Sequence, residues 1–311
     1  MSDLKSSINV EDFSLRSSSN RIGERIIRGS LLGASAFSIL ITVGILWALL
    51  VPAIDFFRQV PIMDFLTGTR WAPRFKPASF GVVPLIVGTL WTTGIALLVA
   101  VPFGLGAAVY LAEYAADRTR RRLKPVLELL AGIPTVIYGY FAIEFVTRVV
   151  FKDWMELDVG TFNVLSAGLV MGVMIIPTIA SLSEDALSAV PLAMRQGSFA
   201  LGANKMQTTL RVVFPAAFSG IMAAIILGIS RAVGETMIVA LAAGNKPNIS
   251  SNPLEGAQTM TGFIANAALG DSRVGSIQYD TLFAVGLLLF MITLVVNFIS
   301  IRLVRRYREA Y

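Results

Sequence analysis

Long apolar runs alternate along the chain with short polar stretches that hold most of its charges. Six apolar runs cover residues 29–53, 83–114, 125–151, 162–190, 212–243 and 281–303. A helix needs about 20 apolar residues to cross the roughly 30 Å of hydrocarbon in a bilayer. Each run is long enough, so the pattern predicts an all-α integral membrane protein with six transmembrane helices. Proline removes a backbone donor and favours kinks, and the following prolines lie in or near the runs: Pro84, Pro102, Pro134 and Pro177.

The composition agrees with this class and excludes several kinds of chemistry. Of the 311 residues, 55% are hydrophobic and 15% are charged, whereas about a quarter of the residues in soluble domains are charged. The chain has no His and no Cys, which excludes disulfides, thiolate chemistry, zinc sites and histidine catalysis. We therefore expect no catalytic residue and no metal site.

The positive charges predict an orientation and a division of the chain. The net charge is +6, and 17 of the 26 Lys and Arg residues lie in the two tails and in the loops after the second and fourth runs. Such an excess is typical of cytoplasmic flanks, so we expect a multi-pass membrane protein with both termini in the cytoplasm, and no binding to nucleic acid. The predicted divisions are a tail (1–28), a first helix with an outer loop (29–82), a core of five transmembrane helices (83–303) and a second tail (304–311).

The cytoplasmic connection after the fourth run has a distinct pattern. Pro191 is suited to the first turn of a helix, and Gly202 allows the backbone to turn before a second helical piece. Phe199, Leu201 and Met206 would offer apolar anchors to another protein. The pattern therefore predicts an L-shaped surface element, and the alternative is an amphipathic connection without a special role.

This connection resembles the loop of ABC importer permeases that docks into the ATP-hydrolysing subunit. The family pattern has a Glu and a Leu where this chain has Gln196 and Phe214, while the spacing is kept. The loss of the acid puts in doubt a charged contact from that position. The resemblance implies a coupling role for Gln196, Gly197, Ser198, Gly202 and Pro215.

The fifth run contains charged residues where hydrocarbon would surround a lone helix. Arg231 and Glu235 are four residues apart, so on one continuous helix they share a face and can pair. One interpretation is an ion pair that holds helices together. The other is a substrate path in which the forked donors of Arg231 meet an oxyanion, with Ser230 and Thr236 as further donors.

The stretch 231–237 closely resembles the R-A-[LIV]-G-E-T-M signature of phosphate permeases, and the stretches 80–90, 111–114 and 131–139 also agree with that family, the first with its C-type (PstC) subunit. The resemblance implies a type I ABC importer permease that works with a homologous A-type permease, an ATPase dimer that binds ATP and Mg, a periplasmic phosphate-binding protein and membrane lipid. No cofactor is implied for this chain. A sulfate or molybdate permease is the main alternative, and an ion-coupled secondary anion transporter or an anion channel remains as a rival class.

Other features predict local roles. Glu144 and Arg148 are expected to form a surface pair, and Glu113, Glu184 and Asp185 to be solvated at the ends of spans. Gly104 and Gly106 suggest close helix packing, because the Lys-Ser/Thr pair of a phosphate loop does not follow them. The outer segments 55–82 and 244–280 are either partner-facing surfaces or ordinary loops with local packing.

Overall fold

The computed structural model describes residues 21–250, 252–270 and 273–306, and most of these residues are helical. Two compact units divide the chain, one of residues 1–48 and one of residues 49–311. The α-helices are α1 (Arg21–Gln59), α2 (Ile62–Thr67), α3 (Val83–Val109), α4 (Asp117–Ala131), α5 (Thr135–Phe141), α6 (Val164–Ser188), α7 (Leu192–Ala200), α8 (Lys205–Thr208), α9 (Phe214–Ala216), α10 (Phe218–Val233), α11 (Met260–Ala268) and α12 (Ile277–Arg306). Segments of π-helix cover Tyr110–Tyr114, Ala142–Trp154, Thr209–Val213 and Val239–Ala243.

Four helical stretches in the described residues are long and apolar enough to cross a membrane by themselves: Gly23–Gln59, Val83–Tyr114, Val164–Ser188 and Ile277–Arg302. They contain or overlap the first, second, fourth and sixth predicted runs. Six spans are present if two bent helix pairs are each taken as one span. The predicted class of all-α membrane protein is therefore confirmed. α1 begins at Arg21 inside the predicted tail, and residues 1–20 and 307–311 of the two tails lie outside the described residues.

The third and fifth predicted runs are both broken, and the break in the third run lies at Pro134, which is one of the predicted kink positions. An angle of 85° separates Asp117–Ala131 from Thr135–Trp154, because the backbone leaves the helix at Gly132 and cannot continue it through Pro134. An angle of 71° separates Lys205–Ala216 from Phe218–Val233. The fifth run breaks again after Val233, and the chain resumes a helix only at Met237.

The most extensive helix pair in the second unit is formed by α3 and α6. Met171, Met174 and Ile175 of α6 are fully buried in the core around this pair. Glycines bring the two helices together, because a Cβ at Gly168 would lie 2.7 Å from Ile95 Cβ and one at Gly104 would lie 2.9 Å from Ile179 Cβ. The predicted packing role of Gly104 is thus confirmed, as small residues allow membrane helices to approach closely.

The segments 55–82 and 244–280 contact each other through aromatic side chains. A two-stranded antiparallel sheet of β1 (Trp71–Ala72) and β2 (Ser79–Phe80) brings Trp71 opposite Phe80. The Trp71 ring meets Phe263 of α11 edge to face at 4.9 Å, and Phe65 lies on its other side at 6.3 Å. The apolar stretch around Phe263 is therefore largely used for local packing. Two large apolar side chains stay exposed, Leu269 at the end of this stretch and Phe75 in the other segment.

We expect Gly168→Ala to destabilise the protein by about 1–3 kcal/mol, because overpacking forces closely packed helices apart. The measurement is the midpoint of thermal unfolding of the purified protein in detergent. Gly94→Ala on α3 is the matched control, since a Cβ there meets no heavy atom within 4 Å. Equal midpoints for the two variants would show that the close approach of α3 and α6 does not limit stability.

Candidate functional site

The connection between α6 and α10 is built as two short helices that meet at a glycine turn. α7 follows Pro191, and Gly202 then adopts a φ of +84°. A side chain at this left-handed φ would strain the backbone, which explains the glycine. The N–H of Gly202 donates to the carbonyl of Phe199 at 2.9 Å, so the turn satisfies one of the last carbonyls of α7. The predicted turn between two helical pieces is confirmed.

Side-chain hydrogen bonds hold the second piece in place. Asn204 and Gln207 form a reciprocal capping box at the start of α8, in which each side chain accepts from the backbone N–H of the other residue. The hydroxyls of Ser198 on α7 and Thr208 on α8 are 2.9 Å apart. The two helices are therefore joined by a side-chain bond as well as by the turn.

The residues predicted to couple to an ATPase do not all lie together. Gln196 and Gly197 are exposed on α7, and Ser198 faces α8. Pro215 instead lies in α9, next to the bend that begins α10. The predicted apolar anchors are on the surface, and Leu201 is 90% exposed. A groove of about 440 Å³ runs between the two pieces and is lined partly by Met194, Leu201 and Arg211.

Arg195 fastens this element to the ends of the long helices. Its guanidinium donates to Glu113 Oε1 at 2.9 Å and to the carbonyl of Leu187 at 2.8 Å, and it also donates to the carbonyl of Val190. The Arg195 and Glu113 side chains are only 14% and 7% exposed. Such a buried pair with further hydrogen bonds is expensive to disrupt, so motion of α7 is tied to α6 and to the end of α3. This contact was not predicted, because 82 residues separate the partners.

A second buried carboxylate, Glu184, fixes α4 against α6. Glu184 is fully buried, and it pairs with Arg120 and with Lys124, whose Nζ lies 2.7 Å from Glu184 Oε2. The prediction of solvated carboxylates was wrong for Glu113 and Glu184, whereas Asp185 is exposed. Arg148 and Glu144 form the predicted surface pair at 3.5 Å.

Arg231 and Glu235 do not form the predicted ion pair, although both lie in the described part of the chain. The helix ends at Val233, so the spacing of four residues does not place the two side chains on one helix face. The N–H groups of Met237 and Ile238 donate to Glu235 Oε1 at 3.0 and 3.2 Å. The carboxylate therefore caps the next helical piece, where a negative charge is favourable.

Arg231 is held by a different helix. Its guanidinium donates to the hydroxyl of Thr178 on α6 at 2.9 Å. Among the described residues, Thr178 is the only hydrogen-bond partner of the guanidinium, and no described carboxylate lies within ion-pair distance of it. An arginine in a membrane-spanning segment is costly unless it faces water or an anion. The guanidinium therefore keeps donors that no described residue accepts.

Of the two hydroxyls predicted as further donors, Ser230 lies before the break and Thr236 lies within it. Ser230 Oγ donates to Asn297 Oδ1 of α12 at 3.0 Å, and Thr236 Oγ1 donates to the carbonyl of Gly234 at 3.2 Å. Both hydroxyls are thus engaged within the chain. A third hydroxyl, which was not predicted, supports the break, since Thr261 Oγ1 donates to the carbonyl of Glu235 at 2.7 Å.

Comparisons with known proteins give consistent similarities. A family model described as "Binding-protein-dependent transport system inner membrane component" matches residues 100–309. A probable ABC transporter permease protein YqgH of Bacillus subtilis is 37% identical over 78% of this chain and 76% of its own length. The phosphate transport system permease protein PstC of Haemophilus influenzae is 32% identical over 79% of this chain and 82% of its own length.

Solved structures show the same likeness at the level of the fold. The MetNI methionine ABC transporter in an inward facing conformation is matched with a TM-score of 0.54 and 22% identity, over 74% of this chain and 95% of that chain. A bacterial ABC transporter involved in the import of the acidic polysaccharide alginate is matched with a TM-score of 0.64 and 17% identity, over 93% of this chain and 100% of that chain.

We expect Arg195→Met to loosen the element formed by α7 and α8, because it leaves the Glu113 carboxylate buried without its partner at a cost of about 3–5 kcal/mol. The measurement is the rate of protease cleavage within residues 192–208, together with the midpoint of thermal unfolding. Adding Glu113→Gln should restore much of the loss, since both charges then leave together. Arg211→Met removes an exposed arginine from the π-helix that follows α8 and is the control. Cleavage of Arg195→Met at the wild-type rate would contradict the anchoring role.

Proposed function

The chain belongs to the family of inner membrane components of binding-protein-dependent transport systems, and from this membership we propose that it is the permease subunit of an ATP-driven phosphate import system. Its fold is that of type I ABC importer permeases, with six spans when each bent helix pair is taken as one. A permease of this kind conducts its substrate and does not catalyse a covalent reaction.

Two kinds of support favour phosphate as the substrate. Relatives of the chain in Haemophilus influenzae and Mesorhizobium japonicum are phosphate transport system permeases. The observation that carries the path itself is the unpaired guanidinium of Arg231, which its hydrogen bond to Thr178 holds in place. A guanidinium presents forked donors that match two oxygens of a tetrahedral oxyanion. Sulfate and molybdate share this geometry and are the competing substrates.

The surface formed by α7 and α8 is proposed to dock into the ATPase. Exposed apolar side chains on a rigid helical knuckle are suited to a groove on a partner. Arg195 joins that knuckle to α6 and α3, so a push from the ATPase would reach the spans through buried contacts. Gln196, Gly197, Ser198 and Gly202 belong to this surface, while Pro215 is proposed to shape the bend that leads from it into the fifth span.

The remaining partners follow from the family. A homologous A-type permease would complete the path, an ATPase dimer would bind ATP and Mg, and a periplasmic phosphate-binding protein would deliver the substrate. With these partners, we propose a location in the bacterial inner membrane with both termini in the cytoplasm. The contacting segments 55–82 and 244–280 would then face the binding protein.

Uptake by the reconstituted transporter tests the substrate. All subunits are reconstituted into proteoliposomes, with ATP on the side of the ATPase and the binding protein on the opposite side. We expect ATP-dependent transport of labelled phosphate into these vesicles. Unlabelled phosphate should compete, whereas equal concentrations of sulfate or molybdate should leave uptake unchanged. Uptake of labelled sulfate or molybdate in place of phosphate would overturn the substrate assignment and leave the permease fold untouched.

Substitution of Arg231 tests the path. We expect Arg231→Gln to lower phosphate uptake by about 10- to 100-fold, because hydrogen bonds to a charged group contribute about 1.5–3 kcal/mol. Arg231→Lys should keep part of the uptake, since a point charge lacks the fork. Arg148→Gln removes an exposed arginine and is the matched control. ATP hydrolysis that the binding protein stimulates should persist in all three variants, and near-normal uptake by Arg231→Gln would refute a role in the path.

A further inference from the structure

Helix α4 points in a different direction from the helical stretch that follows it. The chain ends α4 at Ala131, and the helical stretch Thr135–Trp154 begins at an angle of 85° to it. We take the second stretch as the part that enters the membrane, and the angle of 85° then directs α4 along the membrane surface. No residue of α4 is buried within the chain.

Two sides of α4 have different surroundings. Arg120 and Lys124 point to α6, where they pair with the buried carboxylate of Glu184. Another side carries four large apolar side chains that the chain leaves exposed, and Leu129 is 74% exposed. These side chains are Leu123, Val126, Leu129 and Leu130. An exposed apolar stripe on a helix that runs along a membrane surface is the pattern of an interfacial helix.

Two arginines border the apolar stripe. At about 3.6 residues per turn, Arg118 and Arg122 lie one turn apart on one side of α4, next to Val126 and Leu129. Both arginines are exposed, and neither forms an ion pair with a described carboxylate. Arg121 lies on another side and donates to the carbonyl of Asp117 in its own helix. The arginines at the stripe are therefore available to anions at the depth of lipid headgroups.

We propose that α4 lies in the interface of the bilayer and binds an anionic phospholipid, with Arg118 and Arg122 on the headgroup phosphate. The apolar stripe would contact the acyl chains, and the pairs to Glu184 would keep α4 level with the end of α6. Two observations favour a lipid over a protein partner. The helix continues directly into a membrane span, and its cations border apolar side chains, as snorkelling arginines do. This inference does not depend on the transported substrate.

The test uses the absence of Cys from the chain. Val126→Cys is labelled with an environment-sensitive fluorophore, and the full-length protein with its co-purifying subunits is placed in vesicles. Brominated acyl chains quench a fluorophore that they touch. We expect brominated phosphatidylglycerol to quench more than brominated phosphatidylcholine at the same mole fraction. Arg122→Gln should reduce that preference by about fivefold, since one arginine near the surface contributes a factor of this size.

Arg121→Gln is the matched control, because it removes the same charge from the neighbouring position and should leave the preference unchanged. Four outcomes would overturn the proposal. Quenching by neither lipid would mean that protein covers α4, and equal quenching by both lipids would mean contact without headgroup recognition. An equal loss in Arg121→Gln would indicate only a diffuse charge effect. A loss of preference on adding inorganic phosphate would assign the arginines to a free anion.

Discussion

Every break in a membrane helix must satisfy its own backbone hydrogen bonds, because the hydrocarbon offers no water. The break after Val233 meets this demand with side chains. Glu235 accepts two backbone N–H groups of the next helical piece, and Thr261 donates to the Glu235 carbonyl. This use of the carboxylate has a consequence for the site. Glu235 caps a helix and does not pair with Arg231, whose guanidinium donates to Thr178 instead.

Helix α6 connects the features that matter for function. Thr178 holds Arg231, Glu184 holds α4, and the carbonyl of Leu187 binds Arg195 of α7. From Thr178 to Leu187 the distance along a helix is about 14 Å. Most residues in the middle of α6 are buried, and this helix contacts α3 closely at glycines, so it is well placed to move as one rigid unit. A displacement of α7 would reach Arg231 through one helix.

The three buried or half-buried arginine and carboxylate sites differ in how they are satisfied. Glu113 and Glu184 are paired with cations, which makes them architectural, because removing one partner would strand a charge. Arg231 of α10 has the hydroxyl of Thr178 as its partner, so no described carboxylate offsets its charge. The three sites therefore differ in their partners: the two carboxylates are paired with cations, whereas Arg231 is paired with a neutral hydroxyl.

The sequence by itself determined the features that depend on local chemistry. Apolar run length predicted the spans, since burial of a run needs no knowledge of its neighbours, and Gly202 predicted a turn, since a left-handed φ excludes other side chains. The turn between α7 and α8 was therefore predicted correctly. The pairing of Arg231 with Glu235 was wrong because the rule for residues four apart assumes an unbroken helix. Only the tertiary structure decided the partners of Arg231, Glu113 and Glu184, because each contact joins helices that are distant in the chain and whose packing places the charges together.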